Sequence, residues 1–593
     1  MFAVKVRLLP DSAEVGSSGL ERVVTFLKGN LRIEMLTAKP YAYYAETESD
    51  VTIGESLLPT QAAEIYRMPA DHRQRGHTNA ILDDAILSVV TIDVRRMAVT
   101  MTSSVCCSRP VYYCFADHTF YCSSSIRSLR ALGLRVQADE NAIPEFLVYR
   151  YVVPPRTLYR GLKKLVGGQR VCLALEDVGQ TNNSYFPFSQ SIPEVLLGNE
   201  GLDDLFRQQL EPSLREYPRA GVLLSGGADS GALAVVARSL SDTVSSVSSS
   251  FAFADDTDAE ESYALSFARH LNITHHVYRG SEEQYLTGLV DAIHSAEEPV
   301  HHLQSVMLYL LFRNYARGRY DLLVCGEGAD GLFGNDLHNF VHRYRGLLAF
   351  MRHSGARRLC RAFVDALHID DYRVRLLTAE SGEDLDSRDH ILWTFGAYGD
   401  SALVKKQFGC GDDDILASRK ALIGNYKNKS LLDKVTILSL LSEGCVSMYV
   451  WSKLAESQGI VIQYPFTTPT LVTYAIRSGW DEKLQETKYF VRSLLRQRGV
   501  PEELIGRPKL SFGFPYRYWA LPGALFQPLV DMTAHMFDPV LLRSLQTEEP
   551  GRAMMLWNLI NLFLWHKVMI EGVSRNSLCA EILDRRRLAK AKG

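Results

Sequence analysis

The sequence predicts a two-part fold. An α+β N-terminal domain of layered antiparallel sheets is expected over residues 1–190. A doubly wound α/β domain with a helical C-terminal region is expected over residues 200–593. Three observations predict this. Residues 1 to about 175 alternate short β-like runs with turns. After about residue 200, short all-apolar strands alternate with helical patterns, as in a parallel sheet covered by helices. Residues 340–593 are mainly helical in pattern, and 593 residues are in any case too many for one core.

In the first part, "AILSVVTIDV", "MAVTMTSSV", "RPVYYCFA" and "TFYCSSS" read as successive strands. "RTLYRGLKKLVGGQRVCLAL" adds a turn at Gly167-Gly168 and a further strand. The polar stretch "EDVGQTNNSYFPFSQSIPEV" reads as a linker. In the second part, "GLDDLFRQQLEPSLREY" is amphipathic at helical spacing. "AGVLLS" is a short strand apolar on both faces. Helices at 231–240, 259–271, 282–296 and 304–317 are interleaved with "SVSSSFAF", "THHVY" and "YDLLVCG". Ligands of such sheets sit beyond the C-terminal ends of the strands. Two glycine-rich turns, at 225–231 and 326–334, fall at such ends.

Composition is that of an ordinary globular protein, with 46% apolar and 22% charged residues. A net charge of −3 sets up no field that would gather nucleic acid. No run of 18 apolar residues is present, so no membrane insertion is expected. The start, "MFAVKVRLLPDSAE", turns polar too soon for a signal peptide. Ten cysteines are scattered without a Cys-x-x-Cys pair, and Cys106-Cys107 are adjacent. Reduced thiols in a cytoplasmic protein are the expectation.

The stretch "GVLLSGGADSGALAVVARSL" raises the first chemical question. Successive glycines let backbone N–H groups converge, and the helix that follows adds its positive end. Ser225 to Ser230 therefore form a candidate anion cradle. No Gly-Lys-Ser/Thr is present, so this is not the loop that transfers a γ-phosphate. Asp229 would repel a phosphate unless a divalent ion lay between them, and magnesium suits such a shell. A tight turn with a capping Ser or Asp would also account for these residues. The second turn, "CGEGADGLFGND", again follows an apolar strand and carries Glu327 and Asp330. Asp330 is a second candidate magnesium ligand. Glu327, between two glycines, could accept a proton from an amine. A solvated acidic loop is the alternative.

Together these residues resemble a family. "LLSGGADS" looks like the pyrophosphate loop of ATP-pyrophosphatase enzymes, and with "CGEGADGLFG" it resembles the asparagine synthetase superfamily. "EESYALSFARHLNITHHVY", "SAEEPV" and "KYFVRSLLRQRGVPEELIGRPKLSFGFP" are similar to later segments of that family in order and spacing. "RPVYYCFADHTFYCSSSIRSLRALG" and "PPRTLYRGLKKLVGGQRV" resemble its N-terminal domain, a glutaminase of the Ntn-hydrolase type. The resemblance implies adenylation of a carboxylate by ATP, loss of pyrophosphate, and displacement of AMP by an amine. It implies that Leu224, Ser225, Gly226, Gly227, Asp229, Ser230 and Gly326 hold ATP and its pyrophosphate. Asp229 and Asp330 would hold Mg2+. Lys509 would stabilise charge at the α-phosphate and acyl group, and Glu327 would deprotonate the amine. His275 and His276 match the motif, but neighbours on a strand face opposite ways, and packing is expected of them.

The chain also departs from that pattern. Glutamine-dependent members expose a cysteine nucleophile directly after the initiator methionine, where this sequence has Phe2. Their Asn-Gly oxyanion pair should fall near "AILDDAILSVV", where Asp83-Asp84 would repel an oxyanion. A degenerate glutaminase-like domain is expected. In the synthetase half Gly331 follows the second aspartate, and Thr467 and Thr468 replace the family's Leu-Asp. These changes point away from asparagine as product. The resemblance is greatest to lasso-peptide cyclases, which join a peptide's N-terminal amine to an internal Asp or Glu side chain. It implies a precursor peptide and a separate leader-binding peptidase as partners. Alternatives are an ammonia-dependent asparagine synthetase-like enzyme, a β-lactam synthetase-like small-molecule cyclase, and a non-catalytic ATP-binding regulatory protein.

Overall fold

The computed structural model describes residues 2–8, 23–28, 31–37, 42–46, 50–58, 84, 86–176, 181–186, 188, 201–251, 257–353, 356–367, 372–381, 384–387, 390–507 and 515–592. Lys509 and Asp83 lie outside them.

The N-terminal part holds two six-stranded sheets. Its strands are β1 (Phe2–Leu8), β2 (Val23–Lys28), β3 (Leu31–Thr37), β4 (Ala42–Glu46), β5 (Asp50–Ser56), β6 (Ile86–Asp93), β7 (Ala98–Ser103), β8 (Tyr112–Ala116), β9 (Thr119–Ser123), β10 (Lys163–Lys164), β11 (Gln169–Ala174) and β12 (Thr181–Tyr185). The sheet orders are β10-β8-β9-β1-β3-β2 and β12-β11-β7-β6-β5-β4. Alternate residues of both sheets meet in one apolar cluster. Val4, Ile33 and Phe120 come from one sheet, and Ile53, Val90 and Met101 from the other. β12 corrects the sequence reading. "TNNSY" carries no apolar alternation and was expected in a linker, yet it pairs along β11 from Gln169↔Tyr185 to Leu173↔Thr181. As the last strand of its sheet, with exposed side chains, it needs no apolar face.

The second part is built on five parallel strands: β13 (Ala220–Leu223), β14 (Ser245–Phe251), β15 (His275–Gly280), β16 (Leu322–Val324) and β17 (Val461–Gln463). Their order is β15-β14-β13-β16-β17. The connections are α1 (Leu202–Glu216) before the sheet, α2 (Ala228–Leu240), α3 (Thr257–His270), α4 (Glu282–Ala296), α5 (Leu303–Leu311) and α6 (Ala329–Phe333). The chain steps outward from β13 to β15, then returns to the other side of β13 as β16. The strand order therefore reverses between β13 and β16, and a crevice opens at such a point. β17 is a further correction. "VIQ" lies deep in the region read as helical, yet it forms the sheet's far edge, from Leu322↔Val461 to Val324↔Gln463.

Two helical stretches, 431–456 and 550–570, are long and apolar enough to cross a membrane by length and composition. In each, 83% of the apolar window is buried inside the protein, so these are core helices.

The two parts are joined by buried charge. Glu297 ends α4 in the left-handed conformation, at φ 62°. Its carboxylate accepts from Ser125 Oγ at 2.7 Å and Ile126 N at 2.9 Å, capping an N-terminal-domain helix, Ile126–Ala131. It also pairs with Arg127 at 2.9 Å and Lys453 at 2.6 Å. Beside it, Glu298 takes Lys164 at 3.1 Å and the Tyr112 hydroxyl at 2.6 Å, and Tyr449 also donates to it. Burial pushes the Glu297 carboxyl up, but Lys453 and Arg127 outweigh it and hold it at about 2. A depressed carboxylate stabilises the fold above its ordinary range and loses that effect as pH falls through its folded value. Glu297→Ala should cost about 3–5 kcal/mol, because it strands the buried Lys453 ammonium. In acid unfolding, the wild type should lose stability between the ordinary value of 4.5 and about 2 more steeply than Glu297→Gln. Parallel acid-unfolding curves of the two proteins would contradict this.

Candidate active site

Leu224-Ser225-Gly226-Gly227 follow β13, and α2 starts at once, with Gly227 at its N-cap position and no side chain capping it. Gly226 is required twice over. Its φ is +71°, and a Cβ there would lie 2.6 Å from Ala264 N. Ser230, on the first turn of α2, reaches back. Its Oγ accepts from Ser225 N at 3.2 Å and lies 3.2 Å from Ser225 Oγ. Ser225 Oγ in turn accepts from Gly227 N at 3.4 Å. Arg507 donates to Ser225 O at 3.1 Å and stands over the Tyr263 ring. The turn is thus a backbone cradle with two hydroxyls at the positive end of a thirteen-residue helix.

β16 ends in the second turn, Cys325-Gly326-Glu327-Gly328, and α6 follows. A Cβ at Gly326 would lie 3.1 Å from Ser230 N, so the two turns nearly touch. Gly328 has φ +95°, and a Cβ there would meet Thr467 Cγ2 at 2.1 Å. Thr467 therefore packs where the second turn must stay bare.

This approach sets Asp229 and Asp330 around one cation, Lys488. Lys488 Nζ lies 2.6 Å from Asp330 Oδ1 and also pairs with Asp229. Burial works against the Lys488 charge, but the two carboxylates outweigh it and hold its titration above the usual lysine range. A site that encloses a cation between two carboxylates beside a phosphate cradle has the donor set a magnesium–phosphate group requires. Among the described residues, no group of three or more His, Cys, Asp or Glu side chains is gathered to hold a metal by protein alone.

A cavity of about 630 Å³ opens from the two turns. Leu224, Ser225, Asp229, Ser230, Gly326, Glu327 and Asp330 all line it. Its lining also includes residues that sequence reasoning did not single out: His301, His302, Tyr398, Glu443 and Trp451. Burial pushes both imidazoles down, His302 to about 3, and His301 lies 2.8 Å from Ser447 Oγ. The two imidazoles themselves therefore add no positive charge to the wall. Glu443 sits on a π-helical turn, Leu440–Gly444, which turns its side chain into the cavity. It is held by Arg150 of the N-terminal part at 3.0 Å and by the Tyr398 hydroxyl at 3.2 Å. The Arg150 guanidinium stacks on the Tyr398 ring at 3.4 Å. Six carboxylates line the cavity: Asp229, Glu261, Glu327, Asp330, Asp336 and Glu443. Its described lining includes neither Lys nor Arg.

The remaining sequence expectations fall elsewhere. His275 hydrogen-bonds Ser246 and Ser248 at 2.9 and 3.2 Å, and burial lowers it to about 4, so it is a packing residue. Asp84 accepts from Thr470 N at 3.0 Å and so caps a synthetase-half helix, Pro469–Arg477. All ten cysteines are free thiols, with Cys106 and Cys107 both buried. Lys488 was present in a quoted segment without a role. Nothing local ties it to carboxylates 259 and 158 positions away.

Removing that cation has a readable consequence. In the presence of a chelator, Lys488→Met should melt roughly 2–4 °C below the wild type, because two carboxylates then face each other. Magnesium should raise the variant's melting temperature more than the wild type's. An equal magnesium response in both proteins would contradict the role given to Lys488.

Comparison with known proteins agrees with this geometry. Residues 201–567 match the asparagine synthase family, and residues 80–186 match a glutamine amidotransferase domain. A putative glutamine-hydrolyzing asparagine synthetase of Mycobacterium tuberculosis strain H37Rv is 23% identical over 460 residues, covering 74% of this chain and 69% of the relative. The same figures hold for a Mycobacterium bovis protein of that description. Glutamine-hydrolyzing asparagine synthetase 1 of Bacillus subtilis strain 168 is 22% identical over 487 residues, covering 78% and 74%. The chain belongs to the asparagine synthase family and is an ATP-dependent, AMP-forming carbon–nitrogen ligase with a glutaminase-like N-terminal domain.

Proposed function

We propose that this ligase closes a macrolactam on a peptide, activating an Asp or Glu side chain with ATP and joining it to the peptide's N-terminal amine. One observation carries the reading: six carboxylates line the cavity, and its described lining holds neither Lys nor Arg. Lys488 engages Asp229 and Asp330, Arg150 engages Glu443 and Arg279 engages Glu261, so the described lining offers a free amino acid's α-carboxylate no unengaged cation. A peptide brings one carboxyl for activation and an amine that the same walls attract.

The chemistry follows from the placed groups. The two turns hold the triphosphate at the end of β13, where the α2 N-terminus and backbone N–H groups face its charge. Asp229 and Asp330 would hold Mg2+, which supplies charge neutralisation to the phosphates. For that, Lys488 must leave the carboxylates, and the phosphates are the natural partner for its ammonium. The peptide carboxylate attacks the α-phosphorus, and pyrophosphate departs. The amine then attacks the acyl carbon, and AMP departs. Glu327, between Gly326 and Gly328 on the second turn, takes the amine's proton. Lys509 is assigned the charge that develops at the α-phosphate and acyl oxygen. Glu443 faces the same space and orients the incoming ammonium before it is deprotonated. A precursor peptide and a leader-binding peptidase are the partners this reading requires.

A second reading is ammonia-dependent amidation of aspartate, favoured by what the named relatives are described as making. Incubation with ATP, magnesium and a linear peptide with a free N-terminus and an internal Asp or Glu separates the two. Loss of one water from the peptide, with one AMP per ring, is expected. AMP formed only with aspartate and ammonia would sink the macrolactam reading. Glu327→Gln should lower kcat about a hundredfold or more with ATP binding intact. Lys509→Met should abolish amide formation in a folded protein. Glu443→Gln should raise the KM for peptide while leaving that for ATP unchanged.

A further inference from the structure

Two consecutive helices, α7 (Arg345–His353) and α8 (Ala356–Ala366), turn apolar side chains outward. Leu347, Phe350, Leu359, Phe363 and Leu367 are 44%, 63%, 77%, 63% and 55% exposed. Among the described residues, these are five of the eleven exposed large apolar side chains, within 21 positions of a 593-residue chain. They recur at i, i+3 or i, i+4, so each helix presents one stripe. Arginines of the same helices pair with acids elsewhere on the chain. Arg345 pairs with Asp481 at 2.9 Å, and Arg357 pairs with Glu380 at 3.1 Å. Single exposed apolar residues need no explanation, but a contiguous set on two adjacent helices does.

Charge identifies the occupant. Residues 343–367 hold six arginines, no lysine, and one acid, Asp365, whereas the whole chain carries −3. Arg343 and Arg358 are exposed beside the stripe. A second copy of the chain would oppose one arginine-rich face to another, which is unfavourable. A bilayer asks only for apolar side chains on one face with cations beside them, and anionic headgroups satisfy those cations. We propose that α7 and α8 form a peripheral docking hairpin for an anionic lipid surface. Their stripe would enter the headgroup–acyl boundary, and the long apolar helices would stay inside the protein. The hairpin follows a helix, Asp336–Arg343, whose cap Asn335 and first residue Asp336 line the cavity. Docking would therefore set the cavity one helix away from the bilayer. This proposal stands independently of the peptide reading.

The test uses the full-length protein with large unilamellar vesicles, one set of phosphatidylcholine and one of equal parts phosphatidylcholine and phosphatidylglycerol. Co-sedimentation with the anionic set alone is expected, and raised salt should weaken it. Phe350→Glu/Phe363→Glu should partition at least about tenfold less, with its circular dichroism and ATP binding unchanged. Absence of binding to anionic vesicles overturns the proposal. So do equal binding to neutral vesicles and undiminished binding by the double variant. A wild-type dimer in sedimentation velocity that the double variant loses would assign the stripe to a second copy instead.

Discussion

The cavity depends on the near-contact of two glycine turns across the middle of one parallel sheet. β13 and β16 are neighbours although about 100 residues separate them, so the turns that end them emerge side by side. A methyl group at Gly226, Gly326 or Gly328 would strike backbone or a packed side chain. That closeness puts Asp229 and Asp330 within reach of one cation. Two carboxylates so placed repel each other unless positive charge lies between them. Lys488 supplies it here, and a magnesium–nucleotide group is what would replace it. The strand order thus brings together the two carboxylates and the backbone cradle.

The glutaminase-like N-terminal part is tied into the synthetase half by buried polar contacts. Glu297 caps one of its helices, Lys164 and Tyr112 hold Glu298, and Asp84 caps a helix of the other half. Arg150 reaches Glu443 at the cavity wall. A carboxyl at Asp84, unsuited to an oxyanion hole, is well suited to a helix N-terminus. Through Arg150 the domain holds one residue of the cavity wall in place.

Much of this was legible in the sequence because it is local. A strand, a glycine pair, a carboxylate and a helix follow one another within twenty residues at each turn, and each piece has its own composition. What was not legible depends on distant partners. Lys488 has meaning only between two aspartates from other strands. β17 is three residues long, and its pairing with β16 cannot be read from "VIQ". β12 is polar because it edges a sheet, and polarity is also what marks a linker. Glu443 enters the cavity through an irregular helical turn, which shifts a side chain without any signature in composition. The exposed stripe of α7 and α8 was hidden for the opposite reason. Its helical periodicity is ordinary, and only the packed fold shows which way it faces.

The measurement that tests adenylation at this site most directly follows oxygen. A peptide whose internal Asp or Glu carboxyl carries heavy oxygen is turned over with ATP and magnesium, and the released AMP is weighed. AMP with one heavy oxygen from the peptide is the expected result, because the carboxylate attacks the α-phosphorus and leaves an oxygen behind. Unlabelled AMP, or ADP with labelled phosphate, would contradict attack at the α-phosphorus. The role given to the two glycine turns would fall with it.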